Sequence, residues 1–387
     1  MSDLRLSDYR PDKRLRVPEH RVEKPRFGVI DAHNHLGPEF SQGWGERPVA
    51  ELLAALDEAG VETIVDLDGG QGETLSEHIA RYQAPHPTRI VVMAQLAFEE
   101  WLELADFGEM EAQRFEDSAR RGAQGVKVWK TLGLRARDPA GRLVAVDDER
   151  LDPFWAMGAR LGLPIVVHVA DPVAFFDPLE EHNERWEELA EHPDWHFWPP
   201  RKAEGHGRSG VTHLSADAPV LGAGGDAAGD SGGNGDSGEG TGFPTFDEIL
   251  AAFDRVLGRH SETTFIGAHV GCAAEDLALV SSMLDRHPNF NIDISARIAE
   301  LGRQPYTARA FFLRYADRIL FGTDLGYDPA MYRIHYRFLE TRDESFDYST
   351  EPLPPQGRWQ IHGLGLPDAV LKKVYADNAR RLILQAG

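Results

Sequence analysis

Phe27-Gly28-Val29-Ile30-Asp31-Ala32-His33-Asn34-His35 is an apolar, β-prone run that ends in two histidines one residue apart. On a strand, residues i and i+2 face the same side. The two imidazoles are therefore expected to converge on one point, and neutral imidazole is the commonest metal ligand. A pair makes half a site, so other strand ends have to supply the rest.

Three later segments have the same form. Pro164-Ile165-Val166-Val167-His168, Thr264-Phe265-Ile266-Gly267-Ala268-His269 and Arg318-Ile319-Leu320-Phe321-Gly322-Thr323-Asp324 are apolar runs closed by a ligand-type residue. Four further runs, over 61–67, 89–96, 125–129 and 290–294, read as strands, and helical periodicity separates the runs. Helices are expected over about 48–56, 73–83, 110–121, 148–161, 245–257, 275–286 and 307–316, with a last amphipathic helix over 366–385. Eight βα units define an α/β fold, the (β/α)8 TIM barrel, whose chemistry gathers at the C-terminal ends of its strands. The C-terminal helix is expected to close the barrel base or side.

Residues 1–26 read as a polar arm punctuated by Pro11, Pro18 and Pro25, and 27–387 as one barrel domain. A long insertion, about 171–244, follows the fifth strand. Its Gly-rich part, 222–242, is too poor in apolar residues to order itself and is expected to be a flexible loop. The remainder carries Phe175, Phe176, Trp186, Trp195, Phe197 and Trp198, which suit a cap over the barrel mouth. Asn183-Glu184-Arg185 begins a helix-like run and reads as a solvated face.

Of 387 residues, 42% are hydrophobic, enough for a large core. A net charge of −22, from 41 basic and 63 acidic residues, argues against nucleic acid and anionic membrane as partners. Cys272 is the single cysteine, so no internal disulfide can form, and it reads as a small buried residue. The N-terminus has no apolar core of the signal-peptide type and no stretch is long enough to span a membrane, so a cytoplasmic protein is expected. A homodimer is the usual state for a chain of this size.

Asp31-Ala32-His33-Asn34-His35-Leu36-Gly37 is similar to the first metal motif of the amidohydrolase superfamily. Its spacing to His168, His269 and Gly322-Thr323-Asp324, together with Tyr375-Ala376-Asp377-Asn378-Ala379-Arg380-Arg381-Leu382, resembles the amidohydrolase-2 branch. The resemblance covers the chain from about Val29, less the Gly-rich insert. It implies that His33, His35, His168 and Asp324 hold one divalent metal, zinc by preference, with manganese or iron as alternatives. It also implies a metal-activated water as nucleophile, with Asp324 taking its proton and His269 as acid/base or polariser beside the metal.

Two-metal members use a bridging carboxylated lysine or a glutamate on the fourth strand. Lys127 shares a strand face with Trp129 and is the candidate, against the alternative of a salt-bridged interior lysine. Lys130 points to the other face. Arg297, just past the seventh strand, can clamp a substrate carboxylate or pair with Glu300. Asp293 reads as an interior structural partner.

The resulting expectation is a metal-dependent hydrolase cleaving a C–N or C–O bond (amide, lactone or ester) of a small polar substrate. The alternatives are a metal-dependent non-oxidative decarboxylase of a small carboxylic acid, and a metal-binding barrel without catalysis.

Overall fold

The computed structural model describes residues 5, 9, 13–96, 106–200 and 242–384. The expected Gly-rich loop, apart from Gly242, lies outside the described residues.

Among the described residues nine parallel strands build the fold: β1 (Val29–Asn34), β2 (Val61–Asp66), β3 (Ile90–Val92), β4 (Ala94–Gln95), β5 (Val126–Val128), β6 (Ile165–Val167), β7 (Phe265–Gly267), β8 (Phe290–Asp293) and β9 (Ile319–Leu320). Neighbours in sequence are neighbours in space, in two runs, β1-β2-β3 and β4 through β9. The third expected strand is interrupted at Met93, so β3 and β4 are two halves of one stave. The halves stay joined because Met93 N donates to Asp66 O at 2.9 Å and Ala94 N to Gly125 O at 3.0 Å. At the other seam Ala32 N donates to Phe321 O at 2.9 Å and Asp324 N to His33 O at 3.0 Å, which brings β9 back to β1. Eight staves in a ring of parallel strands are the TIM barrel that the sequence predicts.

Inside the ring, Ile30, Ala32, Val65, Leu67, Val91, Met93, Val166, Ile266, Ala268 and Leu320 form one apolar cluster. Ala376, Ala379, Leu382 and Ile383 join it. The C-terminal segment is therefore the plug of the barrel base. Asn378 fixes it there, donating from Nδ2 to Ala316 O and Ile319 O, both at 2.8 Å, at the start of β9. The segment is not the single helix expected. It runs Asp368–Lys372, a wider turn Lys373–Asp377, then Asn378–Leu382. A larger cluster fills the space between staves and helices.

Two helices after the seventh and eighth staves escape the periodicity reading: Ile298–Arg303 and Pro329–Glu340. The second carries polar residues among its buried ones, including His335 and Tyr332. Tyr332 Oη donates to Asp31 Oδ2 at 2.9 Å. Asp31 also accepts from Thr323 N and Oγ1. Burial pushes the Asp31 carboxyl up to about 6 against these hydrogen bonds.

The N-terminal arm lies against the barrel. Lys24 Nζ donates to Asp57 O and Glu58 O at 2.6 Å, and His20 N to Asp343 Oδ2 at 2.7 Å. In the insertion, Phe175, Phe176 and Phe197 are buried, whereas Trp186 and Trp198 are exposed, so only part of the aromatic set packs. Among the described residues no helix is long and apolar enough to cross a membrane.

The helix Phe107–Arg121 packs through Gly108 against the turn Glu149–Leu151, and a Cβ on Gly108 would lie 1.7 Å from Arg150 O. Backbone cannot yield as a side-chain tip can. Gly108→Ala is expected to destabilise the protein by about 1–3 kcal/mol, the usual range for overpacking. A thermal midpoint equal to the wild-type value would refute this contact.

Candidate metal centre

His33 and His35 do converge, but not by simple alternation. Ile30 and Ala32 face the barrel interior, and Asp31 faces outward to Tyr332. Strict period two would then send His33 outward as well. A register irregularity between Asp31 and Asn34 lets His33 turn inward. Gly322 leaves room for it, since a Cβ there would sit 3.0 Å from His33 Cβ and 3.3 Å from Ser295 Cβ.

Each histidine is held by a buried carboxylate. His33 Nδ1 lies 2.8 Å from Asp293 Oδ2, and His35 Nδ1 lies 2.9 Å from Asp68 Oδ1. Donation from Nδ1 fixes the tautomer and leaves Nε2 as the free ligand atom. The two Nε2 atoms point at Asp324. Oδ1 of Asp324 is 3.0 Å from His35 Nε2 and 3.7 Å from His33 Nε2. His33, His35 and Asp324 each offer a ligand atom within 4.8 Å of the others, and His33, His269 and Asp293 form a second such trio. Asp324 adopts φ 56°, a left-handed conformation that its amide bond to His33 O helps to hold.

His269 also has positive φ, 58°. Its amide donates to Asp293 Oδ1 at 3.0 Å, and its Nδ1 lies 3.0 Å from Ser295 O. Its Nε2 is 3.8 Å from Asp324 Oδ2. His168 stands beside it, with ring centroids 4.4 Å apart. His168 lies outside both trios. Its Nε2 is 3.3 Å from Asp171 Oδ1, and its buried Nδ1 has no hydrogen-bond partner. An orphaned imidazole nitrogen beside three converging ligand atoms is the deficit that a cation would fill. The donor set, imidazole and carboxylate, suits zinc and neighbouring divalent metals.

The electrostatics separate the groups. Burial lowers His33, His269 and His168, the last to about 4, so these rings are neutral and ready as ligands. His35 differs. Burial opposes its charge, but its bonds to Asp324 and Asp68 outweigh burial and push it up to about 9. Burial would raise Asp324, but the surrounding imidazoles, His33 and His35 above all, hold it well below the usual carboxylate range.

Lys127 looks into the site, fully buried, with Nζ 3.3 Å from His33 Nε2 and 5.1 Å from the Trp129 ring centre. The expectation of a salt-bridged interior lysine is not met: among the described residues no carboxylate lies within ion-pair distance of it. Burial accordingly lowers it toward the neutral amine.

Arg297 does not pair with Glu300, because Glu300 is taken by Arg185. Arg185, expected on a solvated face, has a fully buried side chain, held between Glu300 and Glu188. Among the described residues Arg297, 6% exposed, bonds only to Ala296 O, at 2.8 Å, and its charge helps to depress His269. Cys272 is buried and burial pushes its thiol up to about 11, which suits an inert packing residue.

Sequence reasoning missed Asp68, Asp171 and Ser295, and an aromatic wall. Phe40 stacks on Trp129 at 5.2 Å, and both rings lie 5.4 Å from His35. Asp68 ends a stave much as the ligand residues do, and that position was the available signal.

The amidohydrolase family model matches residues 30–383. No curated protein sequence matches the chain. Among solved structures, 2,6-dihydroxybenzoate decarboxylase complexed with 2,6-dihydroxybenzoate is similar at 16% identity and TM-score 0.50, over 92% of this chain and 99% of that one. A Staphylococcus aureus protein named for the amidohydrolases is similar at 15% identity and TM-score 0.51, over 92% and 99%. At such identities the likeness speaks to the fold.

Because His35, pushed up to about 9, holds a proton on Nε2 as well as on Nδ1 at neutral pH, and a ligand imidazole must leave Nε2 bare, metal uptake would have to displace the Nε2 proton. Affinity is therefore expected to rise with pH until about 9, the value for His35, and then level off. Calorimetry in two buffers at neutral pH should report about one proton released per ion bound. Uptake without proton release would contradict this arrangement.

Proposed function

The chain belongs to the amidohydrolase-2 family, and we propose that it is a metal-dependent hydrolase acting on an amide, lactone or ester bond of a small polar substrate. Membership makes it an enzyme of the hydrolase or carboxy-lyase type. The observation that carries the finer reading is the convergence of His33 Nε2, His35 Nε2 and Asp324 Oδ1, with both Nδ1 atoms anchored on buried carboxylates.

In this reading His33, His35, His168 and Asp324 hold one divalent metal, zinc by preference. When bound, the ion supplies Lewis acidity and lowers the pKa of water toward neutrality. The residues do the rest. Asp324 lines the mouth, its side chain 25% exposed, where a water and a substrate can reach its second oxygen. That oxygen accepts the water's proton and hands it to His269 Nε2, which faces it and is unprotonated while Nδ1 donates to Ser295 O; from there the proton goes to the leaving group, or the protonated ring polarises the substrate. Ser295 and Asp293 keep His269 in place for either role. Lys127, whose charged form burial disfavours, lies beside His33. In a two-metal form it would be the bridging, carboxylated residue.

One observation favours a decarboxylase as the second reading. Arg297 is a buried guanidinium with no carboxylate partner among the described residues, and a substrate carboxylate would complete it. The same arginine can orient the acidic end of a hydrolysed substrate. Substrate screening therefore has to include both neutral and carboxylate compounds.

The test begins with metal content of protein purified without chelator. About one equivalent is expected, as for a mononuclear site, and it should be lost in His33→Ala/His35→Ala. Two equivalents would select the bridged form through Lys127, and metal-free active protein would overturn the reading. Arg297→Gln then divides the chemistries. Hydrolysis of a neutral ester or lactone should survive it, whereas turnover of a carboxylic acid should fall by at least about tenfold, as expected from loss of one charged hydrogen bond of roughly 1.5–3 kcal/mol.

A further inference from the structure

We propose that Lys130 is a positioning residue for His168, acting through Asp171, and that Trp195 and Phe197 of the insertion hold Lys130 in place. The proposal rests on the reading of His168 as a metal ligand.

The three carboxylates that serve the site histidines are not held alike. Asp293 accepts backbone amides of His269 and Ser295, both at 3.0 Å. Asp68 accepts the Gly37 amide and the Gln95 side-chain amide, both at 2.9 Å. Asp171 has neither kind of anchor among the described residues. Its Oδ1 faces His168 Nε2, and its Oδ2 is paired with Lys130 Nζ. It follows β6 in a loop, without the rigidity of a strand. Remove the ammonium and, among the described residues, only His168 itself fixes this carboxylate.

Lys130 in turn has a seat outside the barrel. It follows β5 directly, and its Nζ lies 5.4 Å from the Trp195 ring centre and 5.8 Å from that of Phe197. A cation over aromatic faces is attracted by their quadrupoles. The seat is well built. Trp195 stacks on His192 at 4.0 Å, and Phe197 is buried, packing on Phe176 at 5.1 Å and Phe243 at 5.5 Å. The chain of contacts Trp195–Lys130–Asp171–His168 therefore links the insertion to the metal centre. A carboxylate on a ligand histidine sets its tautomer and ring orientation, and losing it commonly weakens metal binding by 10–100-fold.

The test uses the full chain stripped of metal and titrated with zinc alone against a chromophoric chelator. Melting curves identify variants that fail to fold. Lys130→Met should bind zinc roughly 10–100-fold more weakly than wild type. Lys130→Arg, which keeps the charge, should recover most of the affinity, and Trp195→Leu should fall between. In the zinc-free protein, long-range 1H–15N spectra of the histidine rings should place the His168 proton on Nε2, and Lys130→Met should mix the two tautomers.

Zinc affinity and His168 ring signals unchanged in Lys130→Met would overturn the proposal. So would Lys130→Arg being as damaging as Lys130→Met. Should wild type bind no zinc, the metal reading above fails, and the ring spectra alone decide the role of Lys130. Should Lys130→Met not fold, Lys130→Arg and Trp195→Leu carry the comparison, and wild-type behaviour in Trp195→Leu overturns the link to the insertion.

Discussion

The Asp293 carboxylate is the constraint on which the site depends. It is buried at the end of β8 and serves several donors at once: His33 Nδ1 at 2.8 Å, and the amides of His269 and Ser295 at 3.0 Å. Burial alone would raise its pKa, but its interaction with the His33 imidazole leads the effects that hold it well below the usual carboxylate range. One fixed charge therefore sets the ring orientation of a stave-one histidine and the backbone of a residue past stave six. The left-handed φ of His269 is sustained in this way, since strained backbone persists only where its surroundings over-determine it.

Much of the fold was legible because each stave is a short apolar run with a helix behind it, and period two against period 3.6 is a strong signal. The site residues were legible as strand ends. The cases that failed have physical reasons. The inward turn of His33 needs the irregularity after Asp31, and a bulge leaves no mark in the hydrophobic pattern. Pro329–Glu340 buries Tyr332, His335 and Tyr336, so its inner face reads as polar in the sequence. Arg185 was read as solvated because long charged side chains usually are. Its burial depends on Glu300, 115 residues away, and on Glu188, and only the shorter separation is visible in a local window.

The same distance effect explains Asp68 and Asp171. Neither is part of a recognisable motif, since each is defined by the histidine it serves. Asp171 lies three residues past His168, while Asp68 lies 33 past His35. Supporting carboxylates of this kind are chosen by geometry across neighbouring staves, so their sequence spacing is free to vary with loop length. The ligands are constrained in both respects, by type and by position on the stave, and that double constraint made them readable.

The insertion belongs to the site as much as the staves do. Arg185, in the insertion, reaches Glu300 in the helix after β8, and in doing so leaves Arg297 without a carboxylate among the described residues. A buried pair of this kind is weak evidence for stability, because desolvation of both ions offsets their attraction. Its clearer consequence is a choice of partner. Two arginines stand near one another, the charge of each bearing on the same buried Glu188. One is ion-paired inside the protein, and the other, with no carboxylate partner among the described residues, is the one the proposed function leaves for a substrate carboxylate. A guanidinium taken out of water without a counter-ion is costly, and in the proposed function a substrate carboxylate would relieve that cost at Arg297. The insertion thereby decides, through the Arg185–Glu300 pair, which of the two arginines is left without an ion pair among the described residues.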